Sequence, residues 1–358
     1  MKRAASLVIC VSVVAALCGC GRQKPSQPGP LFRVMIMKRR AEYGLYGYID
    51  AAGKIVIKPR FCGASEFTGG LAAVSPEPCE GCIPAPPGRA TYVAPGQPRD
   101  KWGYIDARGR MVIKQRFDSA GEFREGLAPV MRRNEWGYIS RAGTWAIRPA
   151  FDWAGEISAG MGLVRIEGRY GFVDKTGKMA IAPQFGEAYG FSEGLARVRT
   201  GPACQYIDRS GKLAIGRRFH DGGDFHEGLA RVRIGIWWGY IDKTGETVIK
   251  PQFAEARDFS EGLAPVRVKE KWGYIDKTGK MAIAPRFDHA MGFSDGRAVA
   301  YIENKMGLYG YIDKSGRMVI KPRFHSVEPF RHGLAYVRGD QFWGYMDKAG
   351  RCVWKGSN

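Results

Sequence analysis

Leu263-Ala264-Pro265-Val266-Arg267 is followed, after a short turn, by Trp272-Gly273-Tyr274-Ile275-Asp276 and then by Lys277-Thr278-Gly279. Both five-residue runs are β-prone and separated by turn residues. In the second run Trp272, Tyr274 and Asp276 share one face, and Gly273 and Ile275 share the other. Asp276 to Gly279 makes a tight reversal: the carboxylate bonds the backbone two residues on, and the glycine takes the left-handed conformation. Met281-Ala282-Ile283 reads as a third strand that ends at Pro285, which has no amide hydrogen to donate. Phe287, Ala290 and Phe293 are three apart, a spacing that does not fit strand alternation. That stretch reads as a packed crossover loop, so the unit is a three-stranded meander with a return.

The unit recurs. Gly-Tyr-Ile-Asp or a close variant starts at Gly47, Gly103, Gly137, Gly171, Gln205, Gly239, Gly273, Gly310 and Gly344. The spacings are 56, then 34 five times, then 37 and 34. One such unit cannot bury its apolar face alone, so neighbours must stack. With its recurring Trp-Gly pair the chain resembles the bacterial WG-repeat proteins over residues 31–358. The resemblance implies an all-β repeat scaffold and implies little about biochemistry. The array starts with a strand at 31–37 and ends with one at 352–354, and neither end obviously completes a unit at the other. The expectation is therefore an open, superhelical, solenoid-like array of about nine three-stranded repeats. The alternative is a closed β-propeller, which needs a fourth strand per blade hidden in segments such as 287–293.

Composition narrows the class. The chain has 358 residues, 55 Lys and Arg against 35 Asp and Glu, and 45% apolar residues, which excludes a disordered chain. No apolar run of about 18 residues exists beyond the N-terminus, which excludes a polytopic helical membrane protein. Two irregularities interrupt the period. The first spacing carries 22 extra residues within 75–100, a stretch with seven prolines that reads as a loop leaving the array. In the fifth copy Cys204-Gln205 replaces the aromatic-glycine pair, which predicts a soft spot or a kink.

Residues 1–19 read as an export signal: Lys2 and Arg3 precede an apolar stretch too short to span a bilayer comfortably. Leu17-Cys18-Gly19-Cys20 resembles the lipobox of bacterial lipoproteins. The resemblance implies that Cys20 is acylated and anchors the chain to a lipid bilayer, and that residues 20–30 are a tether. Gly21, in place of the family's retention aspartate, implies outer-membrane sorting, with the chain facing the periplasm or the cell surface. Outside the cytoplasm cysteines can oxidise. A structural disulfide within Cys79 and Cys82, or from one of them to Cys62, is the expected use of that cluster.

Two columns of residues, a pentapeptide pattern and a histidine cluster are candidates for function. Trp102, Trp136, Trp238, Trp272 and Trp343 are read as repeat-core aromatics, although an exposed ladder of rings would suit carbohydrate. Lys54, Arg110, Lys178, Lys212, Lys280 and Arg317 follow the turn glycine and form a basic column suited to an extended polyanion. Gly190-Phe191-Ser192-Glu193-Gly194 and Gly292-Phe293-Ser294-Asp295-Gly296 match a nucleophile-elbow pattern without its strand-turn-helix context. His220, Asp221, Asp224 and His226 lie close in sequence and read as a surface loop before a metal site. No acid–base pair or activated nucleophile is legible, so neither catalysis, a metal nor a cofactor is expected. The expected function is a non-catalytic binding scaffold of the bacterial cell envelope. Its partner would be a protein or an anionic envelope polymer rather than nucleic acid.

Overall fold

The third run of the unit does not stop at its proline. In the computed structural model, which describes residues 29–37, 44–75, 101–302, 308–340 and 342–356, Met281–Phe287 is one seven-residue strand passing through Pro285. It lies at the free edge of its sheet, where a missing amide hydrogen costs no ladder bond. Two residues later the chain forms His289–Ala290, the first strand of the next sheet.

The unit is therefore a four-stranded blade. In the seventh blade the strands Glu255–Ala256, Ala264–Val268, Lys271–Ile275 and Met281–Phe287 pair antiparallel in chain order. Between the first two, Ser260 bridges Leu263, while Glu261 and Gly262 hold φ of +54° and +87°. Two successive positive φ values are the signature of a two-residue type I′ hairpin. This corrects the crossover-loop reading. Phe253 ends one sheet, Ala256 opens the next and Phe259 enters its hairpin, and all three are buried. The threefold spacing spans an inter-blade step, so neither strand nor helix periodicity applies.

The glycine of Trp-Gly is required by a bulge. Trp272 pairs with Phe287 and Tyr274 with Ile283, so two residues of the third strand are answered by four of the outer one. The outer strand thus presses on Gly273, where a Cβ would stand 2.5 Å from the Ile283 carbonyl oxygen. In the fifth blade Gln205 takes this position, is buried, and accepts a 2.9 Å hydrogen bond from the Thr200 hydroxyl. There the outer strand carries Gly216-Arg217 where the sixth carries Lys250-Pro251, and a Cβ on Gly216 would meet nothing within 4 Å.

Nine sheets follow one another among the described residues, eight of four strands and one of three. Each apolar cluster lies between adjacent blades: Leu163, Phe172 and Ile181 of the fourth pack with Phe191, Ala196 and Val198 of the fifth. A buried tyrosine on the third strand of every blade but the fourth donates its hydroxyl to a carbonyl of the next blade, as Tyr104 to Gly121, Tyr240 to Arg257 and Tyr274 to Met291, at 2.8–2.9 Å. Tyr345 of the ninth blade makes the same kind of bond, at 2.8 Å, to the Arg33 carbonyl of the first. Phe32, Val34 and Ile49 of the first blade pack with Leu334, Tyr345 and Trp354 of the ninth.

The array is closed. It is a nine-bladed β-propeller, which overturns the expectation of an open superhelical array of three-stranded repeats. That expectation looked for a terminal segment that would complete a unit at the other end. The ring instead shuts by the side-chain packing used at every other seam, with no strand exchanged among the described residues. The first blade, Phe32–Met37, Gly44–Ile49 and Ile55–Phe61, begins at the second strand position. The signal peptide, Cys20, nearly all of the tether and all but the first residue of the 75–100 loop lie outside the described residues.

Candidate functional site

Strands alternate in direction, so the hairpin joining first to second strand and the one joining third to fourth share a rim. A repeated clamp ties them together across blades. Glu125, at the tip of the third blade's first hairpin, accepts a 3.0 Å bond from the Gly160 amide of the fourth and pairs with Lys175 at 2.8 Å. Glu193 does the same with Gly228 and Lys243, Glu227 with Gly262 and Lys277, and Glu261 with Gly296 and Lys314. Asp295 completes the series with Gly333 and, at 3.9 Å, Lys348. The Lys175 ammonium beside it is the leading cause that holds the Glu125 carboxyl below its ordinary range. For Glu193 and Glu227 partial burial pushes upward, but the lysine and the glycine amide outweigh it.

The basic column lies on the same rim. Lys54, Arg110, Lys178, Lys212, Lys280 and Arg317 are all exposed. Arg110 and Arg317 fold back onto the aspartate of their own turn, Asp106 and Asp313, at 2.7 and 3.2 Å. The turn aspartates accept backbone amides, as Asp276 does from Thr278 and Lys280. A second set of arginines joins neighbouring blades. Arg60 donates to the Gly109 carbonyl at 2.6 Å and Arg323 to that of Gly350 at 3.0 Å, each stacked on its own phenylalanine, Phe61 or Phe324.

The largest charge asymmetry is on the outer wall. The nine fourth strands carry twelve Lys and Arg, among them Lys58, Lys114, Arg148, Lys250 and Lys321, and no Asp or Glu. Lysines and prolines on these free edges also prevent pairing with another chain's strand.

Of the Trp-Gly aromatics, Trp272 is buried, and Trp102, Trp136, Trp238 and Trp343 are partly buried. Arg231 lies over the Trp238 ring and Arg257 over that of Trp272, at 5.3 and 5.1 Å from the centroids. The most exposed aromatic among the described residues is the neighbouring Trp237, 45% exposed, beside Ile236 at 72% on the second-to-third turn of the sixth blade. Sequence reasoning passed over this pair because the Trp-Gly register drew attention to Trp238.

The remaining motifs are drawn into structure. The hydroxyls of Ser192 and Ser294 donate to the carbonyls of Phe225 and Phe330 of the next blade, both at 2.6 Å. His220 accepts the Gly235 amide at 3.2 Å, Asp221 bonds Arg199, Asp224 bonds Arg197, and His226 lies 3.9 Å from Asp258. Among the described residues no group of three or more His, Cys, Asp and Glu is placed to hold a metal ion. Cys62 is disulfide-bonded; Cys79 and Cys82 lie outside the described residues. Cys204 is free and buried, and burial pushes its thiol up to about 11.

A ring of nine blades, clamped along one rim at five of its seams and basic on its wall, defines a β-propeller built from one short repeat. The chain belongs to the WG containing repeat family, whose model matches residues 46–75, 102–136, 136–170, 170–201, 206–235, 238–272, 272–305 and 309–340. No curated protein matches it. Among solved structures it is similar to a eukaryotic initiation factor, at 12% identity and a TM-score of 0.48, over 83% of this chain and 88% of that one. It is also similar to BamB from Moraxella catarrhalis, at 10% identity and a TM-score of 0.41, over 81% and 95% of the two chains. AztD from Citrobacter koseri matches at 12% identity and a TM-score of 0.38, over 81% and 93%.

Proposed function

We propose that the protein is a non-catalytic scaffold of the bacterial envelope that holds a protein or an anionic polymer against its basic wall. Acylated Cys20 tethers it to the membrane once residues 1–19 are removed, with outer-membrane sorting following from Gly21. The observation that carries the reading is the outer wall, where twelve cations face solvent-side edges without one acid. A surface of one sign raises the local concentration of anions along its length. The exposed column from Lys54 to Arg317 continues that surface onto the rim.

The test is cosedimentation of the full chain with lipopolysaccharide or polyglutamate across a salt series, beside a variant carrying Lys58→Glu, Lys114→Glu, Lys250→Glu and Lys321→Glu. Binding should fall as salt rises and fall further in the variant. Binding that ignores both changes rules the wall out. Membrane attachment is separate: Cys20→Ser should move the protein from the membrane to the soluble fraction and remove labelling by a fatty-acid probe.

A further inference from the structure

The carboxylate clamp has two seams where the chain keeps the donors and supplies no acid. Five blades place Glu or Asp at the hairpin tip, and each of the five next blades answers with Lys: Lys175, Lys243, Lys277, Lys314 and Lys348. At the second-to-third seam the tip is Gly69, and at the fourth-to-fifth it is Ala159. There the answering residue is arginine, Arg141 and Arg209.

The donor turns are unchanged. Glu125 and Gly126 hold φ of +48° and +91°, and Glu193 and Gly194 hold +51° and +93°. Glu227 and Gly228, whose glycine amide bonds the carboxylate of Glu193, hold +53° and +90°. Arg141 reaches the same place that the lysines reach: a Cβ on Gly69 would stand 4.0 Å from its Nη1, and one on Gly70 3.3 Å from its Nη2. A Cβ on Gly160 would stand 3.1 Å from Arg209 Nη2. Among the described residues neither guanidinium has an ion-pair partner.

We propose that these two seams bind carboxylates brought by a partner, specifically acidic side chains of an extended peptide, one at Gly126 and Arg141 and one at Gly194 and Arg209. The chain itself is the template, because the same turn holds a carboxylate in five other places. Arginine rather than lysine suits a carboxylate that arrives from outside: its planar fork grips both oxygens and sets their orientation. The inference deepens the binding-scaffold reading, on which it rests for a biological partner, by naming the anion.

The test follows the backbone amide resonances of Gly126 and Gly194 in the isotope-labelled full chain. The probes are acetate, the peptide acetyl-Ser-Glu-Gly-Leu-amide and its Gln counterpart. Acetate and the Glu peptide should shift both amides saturably, and the Gln peptide should not. Arg141→Ala and Arg209→Ala should each weaken binding at their own seam roughly tenfold, the scale of one hydrogen-bonded charge contact. Gly69→Glu and Ala159→Glu supply the missing acid from the chain. Each should abolish the response at its own seam, leave the other intact and raise the melting temperature. Both positions match tips that already carry Glu at positive φ: Ala159 holds φ of +51° and Gly69 +58°, against +48° to +54° for Glu125, Glu193, Glu227 and Glu261, and a Cβ on Gly69 meets nothing closer than 3.5 Å. The proposal falls if both amides ignore acetate and the Glu peptide, or if the self-filled variants respond like the parent. Polymer binding that survives the filled variants while the amides fail to respond would leave the wall reading standing and this one overturned.

Discussion

At the residue scale the repeat is a set of steric and hydrogen-bond rules. Gly273 is glycine because a carbonyl oxygen occupies the space of a side chain. Gly273→Ala should therefore cost about 1–3 kcal/mol, the range for overpacking. Gly216→Ala meets nothing within 4 Å and should be neutral or slightly stabilising. Chemical denaturation of the two variants decides it, and equal stability would refute the close approach. Tyr240 donates across a seam at 2.8 Å. Tyr240→Phe should cost about 1 kcal/mol, because it leaves the Arg257 carbonyl unpartnered. Phe172 shows that one seam tolerates the loss, since it occupies the tyrosine position of the fourth blade.

At the scale of the element, the hairpins explain what the recurring Ser-Glu-Gly letters do. The glutamate accepts the turn strain of a positive φ and reaches the next blade, where an amide and a lysine hold it ionised. At Glu227 the carboxyl is depressed in the folded state, where partial burial is outweighed by Lys277 and the Gly262 amide. Its contribution is present above the unfolded carboxylate value of about 4.3 and is lost as pH falls through the folded value. Glu227→Gln should lower the melting temperature at pH 7 and leave it unchanged well below pH 3. A constant offset at every pH would mean that packing, not charge, is the glutamate's role. The register that made Ser192 and Ser294 resemble nucleophiles belongs to the same hairpins, which use the hydroxyl to bond the next blade.

For the whole molecule the decisive seam is the one between the ninth and first blades. Phe32→Ala should cost about 3–5 kcal/mol, the range for truncating a buried phenylalanine. A cost below about 1 kcal/mol would mean that the ring is open there. Glu328 of the ninth blade lies across this seam from Arg33, whose other side pairs at 3.3 Å with Glu66 of the second blade, and burial is the main cause that raises both carboxyls, against the pull of the guanidinium. A raised folded value means stability that is present below the unfolded value and lost as pH rises through the folded one. Glu328→Gln should therefore raise the melting temperature at pH 7 and give no gain near pH 3.5. A gain of equal size at both would remove the electrostatic explanation. The seams about the first blade also lack the carboxylate clamp, since Ala51 and Ala107 stand where other blades carry Lys or Arg.

By itself the sequence determined the period, the three long strands of each unit, the aspartate-glycine turns and the apolar faces, because these depend on residues a few positions apart. It also placed the basic columns. Only the tertiary structure decided the rest. A two-residue strand such as Glu255–Ala256 is too short to show alternation, so the fourth strand was invisible as a pattern. Closure depends on a small angle between neighbouring blades summed over nine seams, and no local run of letters carries it. The pairing of Glu125 with Lys175 or of Gly69 with Arg141 joins residues some fifty to seventy positions apart, and it acquires meaning only when adjacent blades bring those turns into contact.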